Sequence, residues 1–405
     1  MARPRLLFLS HQLPEPPDSG AAIRTHNVLR ILARRYDVTA LCFWRETASE
    51  AAGSPAERAE RLSAYGAVEA FAIPAAGNRL RAAWDHARSL VRGNPWVWFL
   101  YDSSQFMNRL RALLRKERFS LVHMDSMDLV RYLPILGRVP VVCVHHNVES
   151  SLLQRRAEAE SSAVARAYLR HQAKLLRQKE ECWCPRVALN VVVSEEDRTQ
   201  LESIAPDARF VVLPNGVDVH RYAPTDAPQE GLAFIGSTSW FPNRDALEFF
   251  RSQILPDLHR RGDRPTVNWV GHTSDAEKRR FEGEGLILTG YVEDERPWMT
   301  RAACFVVPLR VGGGTRLKIL NAWSMGKAVV STSRGCEGLD ARHGENILIA
   351  DGAEAFADAV WSVLHDRVLR SRLESGARAT AVERYSWDVI GRQMLETYES
   401  VESES

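Results

Sequence analysis

No two aspartates in this 405-residue chain are separated by a single residue, so the Asp-x-Asp pair that holds a divalent cation on a diphosphate is missing. No Cys-x-x-Cys occurs either, and Cys182 and Cys184 are spaced wrongly for a zinc knuckle. Cys42, Cys143 and Cys304 fall in apolar runs, where a thiol packs as a small hydrophobe. The reading is reduced, structural cysteines in a cytoplasmic compartment. No apolar run approaches the ~18 residues of a membrane span. The LLFL run near the N-terminus is too short for a signal peptide and reads as a first strand. There is no repeat and no low-complexity tract. There is also no overall excess of charge: 53 basic and 51 acidic residues leave +2, which excludes a chain-wide nucleic-acid glove.

The balance hides an asymmetry. Residues 1–200 hold 29 Lys/Arg and 21 Asp/Glu, whereas residues 201–405 hold 24 and 30. Short apolar runs recur at 5–10, 37–43, 121–124, 139–144, 189–193 and 210–213. They return at 232–236, 266–271, 286–290, 303–307, 328–331 and 347–349. Helical patterns stand between them, for example 22–35 and a long basic stretch at 150–181 read as one helix. This alternation predicts α/β architecture with two parallel, Rossmann-like sheets. The expected division is an N-terminal domain over 1–213, a linker over 214–230 and a C-terminal domain over 231–384. Residues 385–405 are expected to form a helix crossing back to the first domain.

Ligands in open α/β sheets bind beyond the carboxyl ends of strands. Gly236, Gly271 and Gly290 stand at such ends, where a lone glycine is otherwise a plain turn. Gly312, Gly313 and Gly314 with Thr315 are different, because they follow one strand and open a helix. Free backbone N–H groups there favour a diphosphate, with Arg316 and Lys318 as direct cations. The pattern is neither a Walker A loop nor a first-strand G-x-G-x-x-G.

These residues, together with PNGVD at 214–218, HHNVES at 145–150, MGKAVV at 325–330, EGL at 337–339 and YSW at 385–387, resemble the retaining GT-B glycosyltransferases of family 4. They look most like the bacterial exopolysaccharide branch, including sugar transferases of PEP-CTERM/exosortase loci. The resemblance implies two Rossmann-like domains facing each other across a cleft, the second binding a nucleotide-diphospho-sugar. Implied donor-binding positions are Gly20, Gly236, Arg244, Val292, Gly312, Gly313, Gly314, Thr315, Arg316, Lys318 and Asn321. His146 and Asp18 are the implied catalytic residues, and Asp125, His145 and Glu149 stand on the acceptor side. Two departures matter. Gly313 and Asn321 occupy the positions of the family's two glutamates, and the family's Gly-Arg and Lys after the first C-domain strand are replaced by GSTSWFPNR at 236–244.

The expected reaction is metal-independent and retaining transfer, without a resident cofactor, to a glycan or lipid-linked acceptor in surface or exopolysaccharide assembly. Residues 77–120 hold ten Lys/Arg/His against three acids, interleaved with Trp84, Trp96, Trp98 and Phe99. That composition suits an anionic membrane surface, which would place the protein on the inner face of the cell membrane. A nucleic-acid partner is not expected. The rival readings are a catalytically weak GT-B scaffold that binds nucleotide or glycan, and another GT-B reaction such as a sugar-nucleotide epimerase or a phosphorylase.

Overall fold

The strands are short, mostly apolar and buried on both faces, the signature of parallel sheets covered by helices. A computed structural model describes residues 3–45, 53–312 and 316–404. The first sheet is built from β1 (Arg5–Ser10), β2 (Asp37–Trp44), β3 (Ala67–Ala72), β4 (Leu121–Met124), β5 (Val141–Val144), β6 (Leu189–Val192) and β7 (Phe210–Val212). Its strand order is β3-β2-β1-β4-β5-β6-β7, and every pairing is parallel. The second sheet contains β8 (Leu232–Ile235), β9 (Val267–Val270), β10 (Leu286–Gly290), β11 (Cys304–Val307), β12 (Val329–Ser331) and β13 (Leu348–Ile349). Its order is β10-β9-β8-β11-β12-β13, again all parallel.

Each sheet reverses its winding once, between β1 and β4 in the first and between β8 and β11 in the second. A doubly wound sheet opens a crevice at that point. The chain divides into one unit of Met1–Leu213 with Gly391–Ser405 and a second of Pro214–Ile390. In the first, Phe43 stacks on Phe106 with ring centroids 4.5 Å apart. In the second, Phe234 stacks on Trp269 at 3.8 Å.

Two expectations from sequence need correction. The stretch 150–181 is two helices, Glu149–Glu158 and Ala163–Trp183. Ser162 ends the break by accepting from the Ala165 N–H, so a local cap outweighs continuous helical composition. The strand β3 was not foreseen, because AVEAFA carries a glutamate and small residues at a sheet edge.

The last helix, Trp387–Ser403, buries Met394, Tyr398 and Val401 in the first unit. Tyr398 Oη lies 2.6 Å from His123 Nδ1, and Glu399 pairs with Arg35 at 2.8 Å. Ahead of this helix, Val217 donates to the Tyr385 carbonyl and Trp387 donates to the Val217 carbonyl. A Cβ on Gly216 would stand 2.5 Å from the Trp387 ring. The PNGVD turn and the YSW segment are thus one packed feature, and only glycine admits the indole so close.

Candidate functional site

Polar side chains gather at both reversal points. In the first unit, β1 ends at Ser10 just before His11, β4 ends before Asp125, and β5 ends before His145 and His146. Asp125 has no exposed surface. Its Oδ2 accepts from Thr25 Oγ1 at 2.7 Å and Ser10 Oγ at 3.0 Å, and its Oδ1 lies 3.4 Å from His123 Nε2. His11 Nδ1 and His146 Nε2 each stand 3.7 Å from Oδ2. His146 Nε2 is 2.7 Å from the Asp125 main-chain oxygen, so this nitrogen carries a proton and donates. Burial pushes the Asp125 carboxyl up, but His146 and His123 outweigh it and hold the group well below the usual carboxylate range. Burial, then His146, lowers His11 to about 4, so it is neutral near pH 7.

Asp125, expected on the acceptor side, is the enclosed centre of a network. His145 is buried, with Nε2 2.9 Å from Asn190 Oδ1, and it braces β5 on β6. His146 stays partly exposed. Glu149 opens the 149–158 helix and lines a small cavity with Asp128, Glu180, Trp98 and Lys179. Burial and the charge of Asp128 raise its pKa. Asp18 is exposed, and Gly20 is the first residue of the Gly20–Leu32 helix, which Ser19 caps.

Among the described residues, His11, Asp125 and His146 form a group able to hold a metal ion, with ligand atoms within 4.8 Å of one another. Hydrogen bonds already occupy most of that capacity. His146 Nε2 is directed at a carbonyl, and Asp125 Oδ2 at two hydroxyls.

The second unit places a cationic crevice between β8 and β11. Gly236, just past β8, has φ +155°, and a Cβ there would lie 2.5 Å from Asn243 Nδ2 and 2.8 Å from Lys318 Nζ. Lys318 Nζ donates to Asn243 Oδ1 at 2.9 Å and stands 3.9 Å from the Phe234 ring centroid. Asn243 Nδ2 in turn donates to the Ser237 carbonyl at 2.8 Å. Arg316 precedes the Leu317–Ser324 helix, and a Cβ on Gly312 would meet its guanidinium at 3.3 Å. Lost hydration, then the neighbouring Arg316, lowers the Lys318 pKa well below the ordinary lysine range. Gly312, Gly236, Arg316 and Lys318 thus share one crevice, while Gly313, Gly314 and Thr315 lie outside the described residues.

Arg244 departs from expectation. Its guanidinium pairs with Glu277 at 2.8 Å, which neutralises it locally. Asn243, the residue before it, is the one that reaches Lys318, and sequence reading passed over it because an amide carries no charge. His11, Ser10 and Thr25 were also missed. His11 was legible in principle, since it directly follows a strand at its carboxyl end. Val292 follows β10, two strands from the reversal point. Asn321 is partly buried in the Leu317–Ser324 helix, little more than one turn from Leu317.

The aromatics of the basic segment 77–120 are unequally exposed. Only Trp84 of its four large aromatics is exposed; Phe99 is buried, and Trp96 and Trp98 pack against the first unit's core.

Two doubly wound parallel sheets, each with a polar cluster at its reversal point, are the make-up of a GT-B fold. Residues 19–221 match the family described as Glycosyltransferase Family 4, and residues 229–366 match that described as Glycosyl transferases group 1. The chain belongs to Glycosyltransferase Family 4. It is 30% identical over 233 residues to the phosphatidyl-myo-inositol mannosyltransferase of Mycobacterium leprae, a match covering 54% of this chain and 61% of that protein. It is 34% identical over 110 residues to the lipopolysaccharide core biosynthesis glycosyltransferase LpsE of Rhizobium meliloti, covering 25% and 31%. Among solved structures, sucrose-phosphate synthase from Thermosynechococcus elongatus superposes with a TM-score of 0.71 at 16% identity, covering 99% of this chain and 100% of that one. HepE from Anabaena, in complex with UDP and glucose, gives 0.68 at 15% identity, covering 98% and 100%.

Proposed function

We propose that this chain transfers a sugar from a nucleotide-diphospho-sugar to a glycan or lipid-linked acceptor in surface or exopolysaccharide assembly, with retention and without a metal. The observation that carries this reading is the convergence of Gly236, Asn243, Arg316 and Lys318 in one crevice of the second sheet. Breaking an anomeric C–O bond leaves a diphosphate with growing negative charge, which preorganised cations and N–H donors stabilise. Lys318 is held by a neutral amide rather than a carboxylate, and burial with Arg316 disfavours its charged form, so an incoming phosphate is the partner that restores its charge. The mannosyltransferases of phosphatidyl-myo-inositol and HepE with bound UDP support the substrate classes on both sides.

Retention means that the acceptor oxygen enters on the face the diphosphate leaves, and no protein nucleophile is needed. In the first unit, the His146 Nε2–H is spent on the Asp125 carbonyl, which orients the partly exposed ring and leaves Nδ1 as the atom for a sugar hydroxyl.

Calorimetry with UDP and GDP in EDTA tests the donor side. Binding is expected without metal, and Lys318→Ala should weaken it about tenfold or more, the ~1.5–3 kcal/mol of a charge-assisted contact. Affinity that appears only with Mg²⁺ or Mn²⁺ refutes metal independence. Nucleotide binding with no transfer from any donor favours the scaffold reading.

A further inference from the structure

The helix Arg79–Arg92 is amphipathic in the wrong direction. A surface helix normally turns its apolar side chains inward. Here the inward positions are Asp85 and Ser89, which are 2% and 0% exposed. Asp85 takes both oxygens to Arg81 Nε at 3.1 Å, and Arg88 Nη1 approaches at 3.4 Å. Ser89 Oγ donates to the Asn94 carbonyl and accepts from Gln172 Nε2, while His86 meets the Tyr168 hydroxyl. The helix is held on the 163–183 helix by polar contacts.

Its outward face is apolar. Leu80, Trp84, Leu90 and Val91 are 85%, 62%, 56% and 86% exposed. Positions 80, 84, 87 and 91 repeat at the helical spacing, so Ala87 completes a continuous stripe. Arg79 and Arg92 stand exposed at the two ends.

We propose that this outward face is a docking surface for an anionic lipid bilayer, with Leu80, Trp84 and Val91 entering the interface and Arg79 and Arg92 meeting phosphate headgroups. This inference rests on the lipid-linked acceptor reading for its biological use, but its observations are independent of the nucleotide crevice. Charge complementarity selects the occupant. Arg81 and Arg88 pair with Asp85 and Asp102, so the positive charge of the outward face comes from the exposed Arg79 and Arg92. A second copy laid face to face would oppose like charges, whereas an anionic membrane pairs with them. A tryptophan among aliphatic side chains, with an arginine at each end of the helix, suits an interface, where an amphipathic ring and cationic heads sit together.

The test uses the full chain and vesicles of phosphatidylglycerol and phosphatidylcholine in co-sedimentation, with pure phosphatidylcholine as control. Binding is expected to anionic vesicles and to weaken with salt. Leu80→Ser combined with Trp84→Ser and Val91→Ser should reduce it about tenfold or more, with the melting temperature retained because these side chains pack against solvent. Arg79→Gln with Arg92→Gln should reduce binding and flatten its salt dependence. Calorimetric nucleotide binding is measured on the same samples. If it fails while vesicle binding behaves as described, the donor reading falls and the docking surface stands. Equal vesicle binding by wild type and the triple serine variant overturns the proposal, as does no binding by wild type. Self-association of wild type that the triple variant abolishes, without vesicle binding, assigns the face to a second copy instead.

Discussion

The histidines 145 and 146 are neighbours in sequence with opposite fates. Successive residues leaving a strand point to opposite sides, so one ring enters the sheet interior and the other reaches the strand end. Only His146 keeps part of its ring exposed. His145 is locked against Asn190, and burial first, then the charge of His146 against the Asn190 bond, lowers its pKa to about 4. The sign of the consequence follows directly. An unfolded His145 binds a proton near 6.5 while the folded one resists until about 4, so stability is full above pH 6.5 and falls as pH drops toward 4. The 2.5-unit window corresponds to about 3 kcal/mol at most. A His145→Gln variant keeps a donor toward Asn190 and removes the titration. Urea unfolding of both proteins from pH 4 to 7 should show a stability difference that shrinks or reverses in favour of glutamine at the acid end. A difference constant with pH would mean that His145 titrates normally in the fold.

At the level of elements, most strands were legible because each is a short apolar run with a turn signal behind it, and the two sheets followed from their alternation with helices. What escaped was information carried by partners rather than by local composition. Strand β3 is defined by pairing with β2, not by its own mixed residues. The break at 159–162 is set by one serine cap. The orientation of the 79–92 helix was invisible because periodicity reveals that a helix has two faces but not which one meets the protein. In the cationic crevice, Arg316 and Lys318 lie beside Gly312 and Gly236, whereas Arg244 is paired with Glu277, 33 residues away in the chain and invisible to local composition. The helix Leu317–Ser324 carries its own test. Asn321 stands where the resemblance to the family implies a glutamate, and a neutral acceptor bonds a ribose hydroxyl less strongly than a carboxylate. Asn321→Glu should lower the donor KM several-fold with little change in kcat. An unchanged KM would remove Asn321 from the nucleotide site.

On the scale of the whole molecule, the chain leaves the first unit after Leu213 and returns to it at Gly391. The first unit is therefore incomplete without the last fifteen residues. Met394, Tyr398 and Val401 fill its interior, and the Tyr398 hydroxyl holds His123, which in turn approaches Asp125. Ending the chain at Ile390 should destabilise the first unit by several kcal/mol, given about 1.5–3 kcal/mol for each large buried side chain, while the second keeps its fold. Two separated thermal transitions in the truncated protein, the lower one new, are the expected calorimetric signature. A single unchanged transition would show that the tail is dispensable.

The cysteines give the molecule a built-in chemical clock. Cys182 is exposed, while Cys42, Cys143 and Cys184 are sealed in the first unit and Cys304 and Cys336 in the second. A thiol reagent applied to the native protein therefore marks one position at once. Each later increment identifies the unit that opened, three sulfurs for the first and two for the second, so alkylation followed by mass analysis times the breathing of each half separately.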